Sequence, residues 1–105
     1  MHTMTAEQLT RYLAKPVIYH QDPGHGWVGV KRAALAELGI LDKVSHYSYE
    51  RGATVYLEED CDASLFFAAV RARLGRDPAY DSRHTDSRSP IRSYSSFRGA
   101  TCERT

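Results

Sequence analysis

Two stretches of the chain, each made of two short runs of β-branched and aromatic residues around a glycine-containing turn, constrain the fold most strongly. The first stretch covers residues 17–30. Its turn at residues 22–26 contains proline, which presets φ, and glycine, which accepts positive φ. The second stretch covers residues 45–58 and turns at Arg51-Gly52. Such runs predict β-hairpins, so we expect an antiparallel sheet to organise the first half of the chain.

The loop length of the second hairpin decides which of its side chains share a face of the sheet. With strands at residues 45–50 and 53–58, a three-residue loop gives an apolar face of Tyr47, Tyr49, Val55 and Leu57. The opposite face then carries His46, Ser48 and Tyr56. A two-residue loop would split these sets. We expect the three-residue loop because it makes one continuous apolar face.

Three segments carry apolar residues at helical spacing and predict α-helices over residues 6–14, 31–38 and 62–74. Thr5 and Gln8 form a capping box for the first helix, because the Thr5 hydroxyl can accept from the Gln8 N–H while the Gln8 side chain reaches back. Glycine follows the second and third segments, where a left-handed residue is expected to end a helix.

The order of these elements predicts a single α+β domain over residues 1–97. Short helices are expected to pack on one face of a mainly antiparallel sheet built from two hairpins and a C-terminal strand. Residues 79–97 supply that strand or a pair of strands, and residues 98–105 are expected to be a frayed tail. The polar segment 79–85 is a candidate edge strand for homodimerisation, so both a monomer and a homodimer are considered.

Composition and cysteine content indicate a globular protein of the cytoplasm. The hydrophobic fraction is 42%, the charged fraction 26% and the net charge +1, so total charge indicates neither a strongly basic nor a strongly acidic binding protein. Cys61 and Cys102 are too few for a disulfide framework, and no signal-peptide pattern precedes them. No stretch approaches the roughly 20 apolar residues of a membrane span, so we expect no membrane partner.

An acidic block, Glu58, Glu59, Asp60 and Asp62, precedes the third predicted helix. Asp60 or Asp62 is expected to cap that helix. The spacing is not that of a calcium-binding loop, so we assign no metal and no cofactor and interpret the block as a contact surface for a basic partner. The carboxylates should raise the pKa of the Cys61 thiol, so we assign no nucleophile and no catalytic residue.

The C-terminal third interleaves arginine, serine and tyrosine. Arg83, Arg88, Arg92 and Tyr94 are candidate contacts, because arginine and tyrosine serve both nucleic-acid phosphates and bases and protein interfaces. Tyr56, on the face of the second hairpin predicted to meet solvent, completes the set of candidate partner-binding residues.

Five short strings resemble those of a family of small uncharacterised proteins of phages, prophages and plasmids, and the resemblance covers about residues 18–97. The strings are His25-Gly26-Trp27, Asp42-Lys43-Val44-Ser45, Tyr47-Ser48-Tyr49, Leu57-Glu58-Glu59-Asp60-Cys61-Asp62 and Ile91-Arg92-Ser93-Tyr94. The resemblance implies a mobile-element origin and the cytoplasm of a bacterial host. Small accessory proteins of this origin often bind and disable a host protein, as anti-CRISPR and other anti-defence inhibitors do.

We therefore expect a non-enzymatic accessory protein that binds a host protein, of which an anti-CRISPR inhibitor is one example. The first alternative is a nucleic-acid-binding accessory protein that uses the arginine- and tyrosine-rich segment. The second is a small enzyme with an unfamiliar site. The three hypotheses require different features of the surface. A protein-binding protein needs a contact patch, a nucleic-acid-binding protein needs unpaired cations, and an enzyme needs a pocket with converging polar groups.

Overall fold

The computed structural model describes residues 3–98 of the chain. Within them the α-helices are α1 (Ala6–Leu13), α2 (Arg32–Glu37) and α3 (Ala63–Leu74). The strands are β1 (Val17–Gln21), β2 (Gly26–Lys31), β3 (Tyr49–Arg51), β4 (Thr54–Glu58), β5 (Tyr80–His84) and β6 (Ser95–Ser96). Single 3-10 turns lie at Leu41–Lys43 and Pro90–Ser93. The predicted α+β class is confirmed.

The six strands form one sheet in the order β5-β1-β2-β4-β3-β6. The pairs β1–β2 and β3–β4 are antiparallel hairpins, as predicted, and β2 joins them by pairing with β4. The pair β1–β5 is parallel, which no sequence pattern indicated. Both edges of the sheet therefore come from the C-terminal third of the chain, with β5 at one edge and β6 at the other.

All three helices pack on one face of the sheet, which we call the helix face. A single cluster of buried side chains joins them to it: Leu9, Leu13, Ala34, Leu35, Phe66 and Val70 from the helices and Val17, Val28, Val30, Val55 and Leu57 from the strands. The strand members alternate along β2 and β4, as expected when every second side chain enters a core. This burial is the main source of stability for a domain of this size.

The opposite face of the sheet is covered by residues 85–94, which we call the return segment because they lead from β5 at one edge to β6 at the other. Alternation along the strands places Trp27 and Tyr56 on this face. Trp27 is buried, with the Arg92 guanidinium 5.5 Å from its ring centroid. The ring of Tyr94 lies 5.2 Å from that of Tyr56. The central strands of the sheet are therefore covered on both sides.

The predicted register of the second hairpin is wrong. Arg51 pairs with Thr54, which leaves a two-residue loop, and Tyr49 lies opposite Tyr56. Gly52 in this loop has a φ of 59°, a left-handed value that suits glycine. The prediction assumed a single apolar face. Because the return segment covers the second face, Tyr49 and Tyr56 can be partly buried there.

Element boundaries differ from the predictions by a few residues. The capping box of α1 is confirmed, since the Thr5 N–H donates to Gln8 Oε1 at 2.9 Å and the Gln8 N–H donates to Thr5 Oγ1 at 3.1 Å. The strand predicted from residue 45 begins only at Tyr49, because residues 45–48 form a turn. Of the predicted tail, residues 99–105 lie outside the described residues. No helix within residues 3–98 is long and apolar enough to cross a membrane.

Candidate functional site

A cleft of about 300 Å³ lies where β4 ends, beside the loop that joins β1 to β2. Its lining combines aromatic rings with acidic side chains: His25, Trp27, Tyr47, Tyr49, Glu58, Asp60, Cys61 and Arg92. We call it the acidic cleft. Its carboxylates, Glu58 and Asp60, belong to the acidic block identified in the sequence. Part of that block therefore lies at a concave surface.

Three carboxylates and one imidazole converge at the rim of the acidic cleft. One ligand atom from each of His25, Glu58, Glu59 and Asp60 lies within 4.8 Å of the others. Glu58 Oε2 is 3.8 Å from His25 Nδ1, and Glu58 Oε1 accepts from the Asp60 N–H at 2.9 Å. These four residues could hold a divalent cation, and the same carboxylates suit an ammonium or guanidinium group.

Glu59 is held by a residue of β1. Its Oε1 accepts a hydrogen bond of 2.6 Å from the hydroxyl of Tyr19. This bond to a carboxylate raises the pKa of Tyr19 to about 12, with desolvation adding to the effect. Gly26 makes room for the pair, since a Cβ there would lie 2.7 Å from the Tyr19 ring. The position of the Glu59 charge is therefore fixed by the sheet.

Asp22 fixes the loop that carries His25. Its side chain is fully buried, and Oδ1 accepts from the N–H groups of Gly24 at 3.0 Å and His25 at 2.9 Å. Oδ2 accepts from the Ser89 N–H at 2.9 Å. The sequence predicts the turn but does not indicate this role. An aspartate before Pro-Gly is a known turn signal, because its side chain bonds the backbone that follows.

Arg92 binds Asp22 through two of its three guanidinium nitrogens. Its Nε and Nη2 donate to the two carboxylate oxygens of Asp22 at 2.6 and 2.9 Å. These hydrogen bonds hold the pKa of Asp22 well below its usual range and raise that of Arg92. The structure thus places a residue predicted to contact a partner within the framework of the cleft.

Asp62 is the N-cap residue of α3, as predicted, but it is internal, which corrects its prediction as a contact for a partner. It is 4% exposed, and its Oδ2 accepts from the Ser45 N–H and hydroxyl and from the Ser48 hydroxyl. It stands at the N-cap position of α3 without a side-chain capping bond. The carboxylate therefore shapes the turn at residues 45–48 instead of capping the helix or meeting a partner.

That turn presents Tyr47 at the rim of the acidic cleft. Tyr47 is 61% exposed, more than any other large hydrophobic side chain within residues 3–98. Its ring stacks on His46 with the centroids 4.5 Å apart, and its N–H donates to Ser45 Oγ at 3.2 Å. This position differs from the prediction for Tyr47, which was an apolar face shared with Tyr49, Val55 and Leu57. The structure makes it the most accessible aromatic group beside the carboxylates.

Cys61 lies in the same cleft and is exposed. Desolvation, a hydrogen bond to Glu58 and the charges of Glu58, Asp62 and Asp60 all raise the pKa of its thiol. The predicted direction is confirmed. Because the thiolate is the reactive form, this environment disfavours nucleophilic chemistry at Cys61.

The remaining predicted contacts lie away from the acidic cleft. Arg83 is on the edge strand β5 and Arg88 is exposed in the return segment. Tyr94 packs between the ring of Tyr56 and the guanidinium of Arg51, which is 5.0 Å from its centroid. Tyr56 and Tyr94 are thus partly buried, and neither they nor the two arginines line the acidic cleft.

A wider groove lies at the other end of β2. It has a volume of about 1230 Å³ and includes Thr3, Met4, Gln8, Arg11, Tyr12, Ala14, Lys15, Pro16, Lys31, Arg32, Ala33, Gly52 and Ala53 in its lining. We call it the basic groove, because its charged members are Arg11, Lys15, Lys31 and Arg32. Arg32 also pairs with Glu50. Negative and positive surfaces are therefore found at opposite ends of the central strands.

Comparison of the chain with protein-family models, with curated proteins and with solved structures finds no match. The chemistry of the site is therefore the basis for its interpretation. Its main features are the fixed carboxylates, the exposed aromatic ring beside them and the internal ion pair that holds the loop.

Proposed function

We propose that this protein is a non-catalytic accessory protein of a phage or other mobile element, which binds a basic segment of a host protein in the bacterial cytoplasm. Inhibition of a defence complex, in the manner of anti-CRISPR proteins, is the role that fits this class. The observation that carries the proposal is the convergence of Glu58, Glu59 and Asp60 at the acidic cleft. No lysine or arginine within residues 3–98 forms an ion pair with these three carboxylates.

The size and lining of the cleft suit one long basic side chain. A volume of about 300 Å³ is at the small end of binding pockets. An arginine entering it would meet the carboxylates of Glu58 and Asp60 and could stack on the exposed ring of Tyr47. Tyrosine and arginine are enriched among the residues that dominate protein interfaces. The arrangement therefore favours a protein partner that presents arginine or lysine.

Nucleic-acid binding is a second candidate, favoured by the basic groove. Arg11, Lys15 and Lys31 form no side-chain ion pair within residues 3–98, so their charges are available for phosphates. The acidic cleft would repel phosphates, and Arg92 is bound to Asp22. Nucleic acid would therefore occupy the groove and not the arginine- and tyrosine-rich segment predicted from the sequence.

Affinity capture from bacterial lysate, followed by quantitative mass spectrometry, tests the proposal. The combined variant Glu58→Gln with Asp60→Asn removes two charges and keeps the side-chain size. Glu7→Gln with Asp42→Asn removes two exposed charges outside the cleft by the same two kinds of substitution and is the matched control. We expect a host protein that the unmodified chain and the control retain, that the cleft variant loses, and that high salt releases.

Identical capture by the cleft variant and the unmodified chain would contradict the proposal, as would the absence of any specifically captured protein. Circular dichroism of each variant checks that the fold is retained. Nuclease-sensitive material that is lost after Lys15→Ala with Lys31→Ala, but not after the cleft substitutions, would support the second candidate instead.

A further inference from the structure

The strand β5 leaves one edge of the sheet open. It pairs with β1 on one side, and all five of its residues, Tyr80–His84, are exposed. The opposite edge is formed by β6, which has only two residues. An open edge carries unpaired backbone N–H and C=O groups and is a template for another strand. Tyr80, at the start of β5, is 50% exposed.

The backbone of β5 shows which groups point outward. The C=O of Ala79 and the N–H of Thr85, at the two ends of the strand, both bond to β1, at 3.0 and 2.9 Å. Successive residues of a strand direct their backbone groups to opposite sides. The N–H and C=O groups of Tyr80, Ser82 and His84 therefore point away from the sheet and are available to a second strand.

Ser82 lies midway between Tyr80 and His84. This even spacing permits β5 to pair with the same strand of a second copy around a two-fold axis. In an antiparallel pair centred on this residue, Ser82 lies opposite its own counterpart. Tyr80 lies opposite His84 of the second copy, and the reverse holds by symmetry. Each of these facing pairs can exchange two backbone hydrogen bonds, as hydrogen-bonded pairs do in antiparallel sheets.

Side-chain charges select this register. Asp81 lies opposite Arg83 of the second copy, and the two-fold axis produces this ion pair twice. Neither residue forms an ion pair within residues 3–98 of its own chain. A strand shifted by two residues would place Asp81 opposite itself or Arg83 opposite itself. Like charges directly opposite each other destabilise a pair of strands, whereas opposite charges stabilise it.

We propose that two copies of the protein associate through β5, antiparallel and centred on Ser82, so that their sheets become one continuous sheet. The occupant of the open edge is a second copy because the charges of this strand complement those of the same strand rotated by 180°. The interface also covers part of the exposed ring of Tyr80. It shares no residue with the acidic cleft, so the dimer is independent of the proposed function.

Sedimentation equilibrium of the full chain over a wide concentration range tests the dimer. Asp81→Arg places two arginines opposite each other across the axis, and Arg83→Asp places two aspartates there. We expect either substitution alone to raise the dissociation constant of the dimer by at least about tenfold. Asp42→Arg makes the same charge change on a surface outside β5 and should leave dimerisation unchanged.

An equimolar mixture of the Asp81→Arg and Arg83→Asp proteins restores complementary charges at both positions, so we expect a heterodimer to form in the mixture. Ser82→Pro should also abolish association, because it removes an outward N–H without affecting the hydrogen bonds to β1. The proposal is overturned if the unmodified protein sediments as a monomer throughout. It is also overturned if the single-charge variants dimerise as the unmodified protein does, or if the mixture remains monomeric.

Discussion

The carboxylate of Asp22 and the guanidinium of Arg92, 70 residues apart in the sequence, form an ion pair closed by two hydrogen bonds. The Asp22 side chain is fully buried and also accepts the backbone N–H groups of the loop that follows it. This pair joins the loop between β1 and β2 to the return segment. It therefore fixes His25 and the covering of Trp27 at the same time.

Replacing Arg92 by lysine should destabilise the protein even though the charge is kept. Lysine cannot supply two parallel N–H donors to one carboxylate, so the buried Asp22 would keep its backbone N–H donors but lose one of its two charge-assisted hydrogen bonds. We expect the melting temperature to fall by roughly 5–10 °C. Arg88→Lys changes an exposed arginine of the same segment and should have little effect. Equal melting temperatures for the two variants would contradict this account.

The stability contributed by Asp22 should depend on pH in the acid range. The hydrogen bonds from Arg92 place the pKa of Asp22 below the value of about 4 that it has in an unfolded chain. Such a group stabilises the fold above about pH 4, and the contribution is lost as pH falls toward the folded-state pKa. We expect the difference in urea unfolding between the unmodified protein and Asp22→Asn to shrink below about pH 4. A constant difference between neutral and acid pH would show that the carboxylate charge is not responsible.

Ser48→Ala should also lower stability. The Ser48 hydroxyl is fully buried, donates to Asp62 at 2.5 Å and accepts from the Glu58 N–H at 2.9 Å. Alanine would leave both groups without this partner, and we expect a loss of about 1–3 kcal/mol in the free energy of unfolding. Ser64→Ala, on the exposed side of α3, serves as control and should change it by less than about 0.5 kcal/mol. Chemical denaturation measures both, and a Ser48→Ala value as small as the control's would disprove the role assigned to this hydroxyl.

The helices and hairpins could be predicted because their signals are local. The capping box at Thr5 and the glycine that ends α3 act within one turn of a helix. The register of the second hairpin could not be predicted in the same way. It depends on whether the face that carries Tyr49 and Tyr56 is covered, and the covering residues lie about 40 positions further along the chain.

The candidate site was predicted only in part for a similar reason. The acidic residues are adjacent in the sequence, so their proximity was evident. Which of them remain exposed depends on partners elsewhere: Asp62 is buried by Ser45 and Ser48, and Arg92 is bound by Asp22. The sequence around a charged residue in a polar segment is the same whether the side chain faces solvent or binds a residue far along the chain.

The path of the return segment has a consequence for synthesis on the ribosome. Non-local pairings must wait until both partners are available, and they slow the folding of sheet proteins. Both hairpins are complete once Glu58 has emerged, but the face carrying Trp27 and Tyr56 stays uncovered until residues 85–94 follow. A nascent chain at that stage exposes aromatic surface that is prone to aggregation. A truncated or stalled product would keep this surface, so the return segment is the part of the chain that removes it from solvent.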